Sequence, residues 1–387
     1  MHFNTNDLHI LLFISFVIFC SPYISKVTKL PTLAVEIILG AIAGAFGIIS
    51  KTPAFELASS IGFSYLMFIA GLEVSLRDFF KLNLKQVKEI LFFYIILYAL
   101  STIIAFIFNL SYMISIILPI MSVGLISILY KDYKITPNWL NLSMISAALG
   151  EVISIIILTL INSFSSSSDT LQVILSVLYI LFFLCVFLFI YYIFSVLFWW
   201  FPALKEVIVP NSTDKAERDI RFSISLWIVA VALVIYFDFE IALGAFLAGI
   251  FISSFFGHKK ELEHKLSSLG HPFLIPIFFI FVGLSLDFSL LNLELILLSL
   301  SMVLAMAITR LIASFVFYSS LKLECILLAF STCMPLTLLI AFATLGQKLK
   351  LIDSTLYIAL ILAALIEGVL FMYLIPKLAL LIETKRK

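Results

Sequence analysis

Residues 143–159 read SMISAALGEVISIIILT, an apolar run with one carboxylate, Glu151, near its middle. Three small residues, Ala147, Ala148 and Gly150, precede the charge. The surrounding composition decides what kind of helix this is. The 387 residues are 63% hydrophobic and only 12% charged, with a mean hydropathy of +1.21. A soluble domain does not sustain that balance, whereas helices that cross a bilayer, each needing about 20 apolar residues, require it. A carboxylate at bilayer depth costs at least ~2.5–3.5 kcal/mol on insertion scales, so Glu151 reads as a functional residue. The alternative is a structural glutamate, paired to a cation or hydrogen-bonded between helices.

Working outward, the apolar runs predict thirteen spans and no separate globular domain. They fall at about 8–24, 31–49, 55–73, 88–109, 112–129, 139–161, 171–200, 221–237, 239–257, 271–287, 291–320, 323–345 and 354–376. Breaks lie where Pro, Asn, Ser or charge clusters interrupt the runs, as at Thr136-Pro137-Asn138 and Ser165–Ser168. Lys and Arg then set the orientation. Lys51, Lys348 and Lys350 lie on one side, and Arg310 lies inside the eleventh span. Every other Lys and Arg of the 24 falls in the alternate connections or the C-terminal tail. The rule of cytoplasmic positive charge puts the N-terminus outside and the C-terminus in the cytoplasm of a bacterial-type inner membrane.

Several chemistries are excluded. The four cysteines, Cys20, Cys185, Cys325 and Cys333, sit in apolar runs without metal or redox spacing. The five histidines lie at or beyond span ends without ligand spacing. No resident metal, cofactor or catalytic constellation is expected, so the chain does not read as an enzyme. The basic residues lie in short loops between spans and form no nucleic-acid face. The first run, 8–24, lacks a basic flank and a cleavage site, and reads as a retained span.

The spans also repeat. EIILGAIAG (36–44) returns as EIALGAFLAG (240–249), and FIAGLEVSL (68–76) returns as FIFVGLSLD (279–287). Pro119 within LPIMSVG matches Pro335 within MPLTLLI, and AALGEV (147–152) matches AALIEGV (363–369). Pro335 and Glu367 follow Pro119 and Glu151 by the same number of positions. Each copy lies seven spans from its mate, an odd number, so the copies run in opposite directions. We therefore expect an inverted repeat, with 31–161 as one half, 221–376 as the other and 171–200 as a linker helix. Each glycine-rich match taken alone reads as close helix packing.

Pro119 and Pro335 both fall inside apolar runs. Proline removes a backbone donor and clashes with the preceding turn. Broken helix at membrane depth survives only where protein or a water-filled cavity satisfies the freed groups. A matched pair of breaks is the sequence mark of a transport site. Ser122, Met121 and Gly124 follow the first proline and Thr337 follows the second. Their carbonyls and hydroxyls are hard oxygen ligands suited to an alkali cation. Glu151 supplies the charge, for which a cation and a proton compete if its carboxyl titrates near cytoplasmic pH. Arg310 needs carboxylate or carbonyl partners. We expect a structural ion pair with Glu367, with Glu151 and Glu36 as alternatives. Glu73, Glu240 and Asp287, at span ends, read as solvated or capping.

Six stretches together carry a resemblance: LPTLAVEIILGAIAG (30–44), FIAGLEVSL (68–76), SVG (122–124), ALGEV (148–152), ALGAFLAGIFIS (242–253) and IPIFFIFVGLSLD (275–287). On these the chain resembles monovalent cation:proton antiporters of the Kef/NapA type, of the sodium/hydrogen exchanger family. The resemblance implies thirteen spans, a dimerisation part, a mobile core with two crossed broken helices, and alternating access. It implies Na⁺ or K⁺ and H⁺ as substrates, a homodimer in the bilayer, and an ion site at Glu151, Ser122, Met121 and Gly150. The chain departs from the pattern. Electrogenic members carry two adjacent aspartates where Gly150 and Glu151 stand. They usually carry Lys where Arg310 stands, and Thr is common where Met121 stands. One carboxylate and a permanent cation imply one-for-one, electroneutral exchange. No nucleotide-binding domain follows residue 387, so control by an attached domain is not expected. Two rivals remain, a channel-like potassium efflux pathway and a sodium-coupled organic-anion carrier.

Overall fold

The computed structural model of the chain describes residues 5–28, 30–74, 82–126, 129, 137–165, 170–201, 217–255, 259–286 and 292–384. Among these residues every regular element is helical. We label the principal helices α1 (Thr5–Thr28), α2 (Thr32–Ala45), α3 (Pro53–Glu73), α4 (Leu84–Ile107), α5 (Tyr112–Ile117), α6 (Asn138–Ser165), α7 (Thr170–Trp200), α8 (Arg218–Tyr236) and α9 (Ile241–Phe255). There follow α10 (Lys259–Leu269), α11 (Ile275–Leu284), α12 (Leu293–Ser314), α13 (Cys325–Thr332), α14 (Leu336–Lys348) and α15 (Ser354–Thr384). Eight helical stretches among the described residues are long and apolar enough to cross a membrane. Shorter apolar helices include α2, α9 and α14.

Local chemistry sets the boundaries. Thr52 caps α3 by accepting the Phe55 N–H, and Pro53 takes the first helical position, where no donor is needed. Asn83 and Gln86 form a reciprocal capping box that starts α4. The tenth apolar run begins earlier than its hydropathy indicates. The charged helix α10 passes through a π turn, Gly270–Leu274, directly into α11. Pro272 lies in that wider turn and Pro276 at the second position of α11, and the helix runs on through both.

The runs that carry Pro119 and Pro335 are interrupted, as expected. After α5 the chain is irregular over 118–123, around Pro119, and turns helical again at Gly124. The second run splits into α13 and α14, with Cys333, Met334 and Pro335 between them.

The chain divides into two compact units. The first comprises Met1–Ile18, Lys51–Arg77 and Ile155–Phe281. Its centre is the contact between α3 and α9. A Cβ on Gly71 would lie 2.1 Å from the Phe246 carbonyl oxygen, and one on Gly249 2.2 Å from that of Phe68. Only glycine permits the two backbones to touch. Tyr65 closes this unit by donating to the Leu266 carbonyl, and its ring packs over Gly270. The second unit comprises Phe19–Ser50, Asp78–Ser154 and Val282–Lys387. There Gly283 packs on α2, where an added Cβ would lie 2.1 Å from the Ile37 carbonyl oxygen. The glycines of the repeated stretches are thus points of helix contact.

Candidate functional site

All the candidate site residues lie in the second unit. Glu151 sits on α6 and is fully buried. Its Oε1 accepts from the Ser122 hydroxyl at 3.1 Å and its Oε2 from the Val123 N–H at 3.0 Å. Both donors come from the first interruption. The Val123 N–H is free to turn outward because the chain there is irregular. The Ser122 hydroxyl also meets Thr337 Oγ1, from the first turn of α14, at 2.9 Å. A serine hydroxyl has one hydrogen. If Ser122 gives it to Glu151, Thr337 is the donor in the second bond, and the order runs Thr337 to Ser122 to Glu151. The two interruptions therefore meet at the carboxylate.

Arg310, on α12, is also fully buried. Its Nε donates to the Thr332 carbonyl at 3.0 Å and one terminal nitrogen to the Met306 carbonyl at 3.2 Å. The other terminal nitrogen donates to the Ile120 carbonyl. Thr332 closes α13 and Ile120 lies in the first interruption, so one guanidinium ties both breaks together. The expected ion pair with Glu367 is not made as a direct hydrogen bond, although the Arg310 charge acts on that carboxyl. The guanidinium spends its three nitrogens on backbone acceptors, and neither Glu367 carboxylate oxygen has a hydrogen-bond partner. The physical reason is proximity. A proline break exposes carbonyls beside the cation, and a planar fork of donors matches them. Glu36, the other alternative, instead accepts from Ser21 at 3.3 Å.

Met121 and Gly150, also expected at the ion site, pack against Tyr94. Met121 is buried with its sulfur 3.5 Å from the Tyr94 hydroxyl, which donates to the Ser146 carbonyl at 2.6 Å. Gly150 makes room for that phenol, since a Cβ there would lie 2.4 Å from the Tyr94 oxygen and 3.0 Å from Met121 Cβ. Ser331 on α13 donates to Ser143 on α6 at 2.8 Å, tying the Glu151 helix to the second broken run. Tyr94 was not legible in its own run, where it is one aromatic among apolar neighbours. The usable signal was Gly150, a missing side chain beside a buried charge. Asp287 lies outside the described residues.

Gly150→Ala is expected to push Tyr94 off Ser146, lowering exchange and stability by about 1–3 kcal/mol, the usual cost of overpacking. Adding Tyr94→Phe removes the clashing oxygen and is expected to recover much of the stability in a denaturant titration. Full stability of Gly150→Ala alone would show that the notch yields freely.

The arrangement defines a class, a polytopic helical membrane protein with a buried carboxylate at two meeting helix breaks. Residues 14–376 match the family model for the sodium/hydrogen exchanger, transmembrane region. The chain belongs to the sodium/hydrogen exchanger family. It is 28% identical to YjbQ of Bacillus subtilis over 367 residues, covering 88% of this chain and 58% of YjbQ. The chain thus spans under two thirds of that relative's length. It is 25% identical to the Na(+)/H(+) antiporter of Enterococcus hirae over 372 residues, covering 92% and 94% of the two chains. The structure of the sodium proton antiporter MjNhaP1 from Methanocaldococcus jannaschii at pH 8 shares the fold, with a TM-score of 0.66 at 16% identity. That match covers 93% of this chain and 98% of the other.

Proposed function

We propose that the chain exchanges a monovalent cation, Na⁺ or K⁺, for protons, with Glu151 as the single shared ligand. The observation that carries this reading is the oxygen cluster of Glu151, Ser122 and Thr337, with contacts of 3.1 and 2.9 Å at the two helix breaks. As these hydrogen bonds are made, the hydroxyl hydrogens point toward the carboxylate. Turning them away offers lone pairs of both hydroxyls and the carboxylate to a small hard cation. A proton on Glu151 removes the charge that holds the cation. Proton and cation therefore exclude each other, and one carboxylate gives one-for-one, electroneutral exchange.

Alternating access by a moving core, an inverted repeat and a homodimer belong to the same reading. The repeat is supported by paired contacts. The stretch matched to α2 is α9, the one matched to α3 is α11, and α3 packs on α9 while α2 packs on α11. The alternation of Lys and Arg supports an N-terminus outside and a C-terminus in the cytoplasm. Among the family's types, the motifs named above favour the Kef/NapA type.

The test is reconstitution in proteoliposomes carrying a pH dye, titrated with Na⁺, K⁺ and Li⁺. Cation addition is expected to move protons in the opposite direction, at a rate unchanged when the membrane potential is clamped to zero. Cation flux without proton movement would replace this reading with a channel-like efflux pathway.

A further inference from the structure

We propose that a cleft at the N-terminal end of α4 binds a phospholipid headgroup that carries a primary ammonium. The cleft has a volume of about 400 Å³. Lys85, Lys88, Glu89 and Phe92 of α4 line it, with Val316 and Ser319 from the segment that follows α12. It lies apart from the Glu151 cluster and uses none of its residues.

Glu89 is the unusual member. It is 6% exposed, and its Oε1 accepts from Ser319 at 3.1 Å and Ser320 at 2.7 Å, with Lys85 Nζ 3.7 Å away. Its Oε2 is buried without a hydrogen-bond partner. A buried carboxylate oxygen left without a donor is costly, so the site is one N–H short. Lys85 and Lys88 are exposed at the mouth. Two ammoniums beside one carboxylate leave a net positive rim that suits a phosphate. A lone alkali cation would meet the two lysines with no phosphate to offset their repulsion, and the hydroxyls of Ser319 and Ser320 already give their hydrogens to Glu89.

The ligand thus needs an anionic phosphate and an N–H donor a short distance from it. The surroundings indicate where such a molecule comes from. Leu91, Phe92 and Ile95, just beyond Glu89 on α4, are exposed apolar residues. On a membrane-crossing helix they face acyl chains, and the lysines one turn earlier stand at headgroup depth. An ammonium-bearing phospholipid offers phosphate to the lysines, N–H to Glu89, and acyl chains to Phe92 and Val316. A headgroup with added anionic charge and no ammonium would meet Glu89 unfavourably. A trimethylated headgroup has the charge but no N–H.

The experiment is native mass spectrometry of the full chain in detergent. The competing lipids are phosphatidylethanolamine, its mono- and dimethyl forms, phosphatidylcholine and phosphatidylglycerol, all with the same acyl chains. Phosphatidylethanolamine is expected to be retained about tenfold over phosphatidylcholine, the worth of one charged hydrogen bond, falling with each methyl group. Glu89→Gln keeps an acceptor for the two serines and is expected to lose that discrimination. The Lys85→Ala/Lys88→Ala double variant is expected to retain less of both lipids. Water-soluble phosphoethanolamine at equal concentration is expected not to displace the lipid. Equal retention of the ethanolamine and choline lipids by the unaltered protein would overturn the proposal. So would preference for phosphatidylglycerol, undiminished binding or discrimination in the variants, or displacement by phosphoethanolamine.

Discussion

Glu151→Gln is expected to insert and fold, yet to show no cation-driven proton movement at any pH. The amide keeps the volume of the carboxyl and one acceptor oxygen, so it can still take the Ser122 hydroxyl or the Val123 N–H. The lost hydrogen bond is worth about 0.5–1.5 kcal/mol, too little to unfold the protein. What disappears is the charge, and with it both the proton and the electrostatic hold on a cation. Glu151→Asp keeps the charge but draws it back by one methylene from the two hydroxyls. It is expected to exchange at an altered apparent affinity. In the unaltered protein, competition for one carboxyl has a defined pH signature. Below the pH at which the carboxyl releases its proton, apparent cation affinity falls about tenfold per pH unit, and above it the affinity is flat. The dye assay in proteoliposomes reads all three outcomes. Exchange preserved in Glu151→Gln would remove this residue from the mechanism and turn attention to Glu367 and Glu36, two further buried carboxyls of the unit.

Arg310→Ala is expected to destabilise the protein strongly, and Glu367→Gln is expected not to rescue it. The guanidinium satisfies the Ile120 carbonyl at one helix break and the Thr332 carbonyl at the end of α13, before the other. Each acceptor left unsatisfied in the interior costs about 1–3 kcal/mol, so the two together cost about 2–6 kcal/mol. Arg310→Lys keeps a cation but has a single ammonium in place of the fork. Its three donors radiate from one nitrogen rather than along a fork, and the variant is expected to fall between the two. Denaturant unfolding of the purified variants in detergent measures the series. Recovery of stability when Glu367→Gln is added to Arg310→Ala would show that the two side chains interact as an ion pair. Full stability of Arg310→Ala would show that water replaces the guanidinium without cost.

The apolar runs, the two proline breaks and the buried glutamate were legible from residue type and spacing, because each has a local cause. Proline removes its own donor wherever it falls, and a carboxylate among apolar residues is conspicuous without any neighbour being known. The depth at which α10 joins α11 was less legible. A charged amphipathic helix carried straight into an apolar one has no boundary signal when a π turn joins them. The hydrogen-bond partners of Arg310 were not legible for a related reason. Sequence displays side chains, and it offered Glu367 as the opposite charge. The acceptors that won were main-chain carbonyls, which every residue carries and no residue name announces.

By itself, then, the sequence determined that the chain crosses a membrane repeatedly, that two of its helices break, and that one carboxylate lies in the middle of an apolar helix. These follow from hydropathy, from the missing proline N–H and from the cost of burying charge. Only the tertiary structure decided which atoms meet at that carboxylate. Ser122 and Thr337 are 215 positions apart, and no local rule places their hydroxyls 2.9 Å from one another. Nor does any local rule seat Tyr94 in the space left by Gly150. Those contacts depend on how helices distant in the chain pack at their irregular segments. There the backbone groups freed from regular bonding must find partners, and the nearest donors and acceptors in space settle which ones.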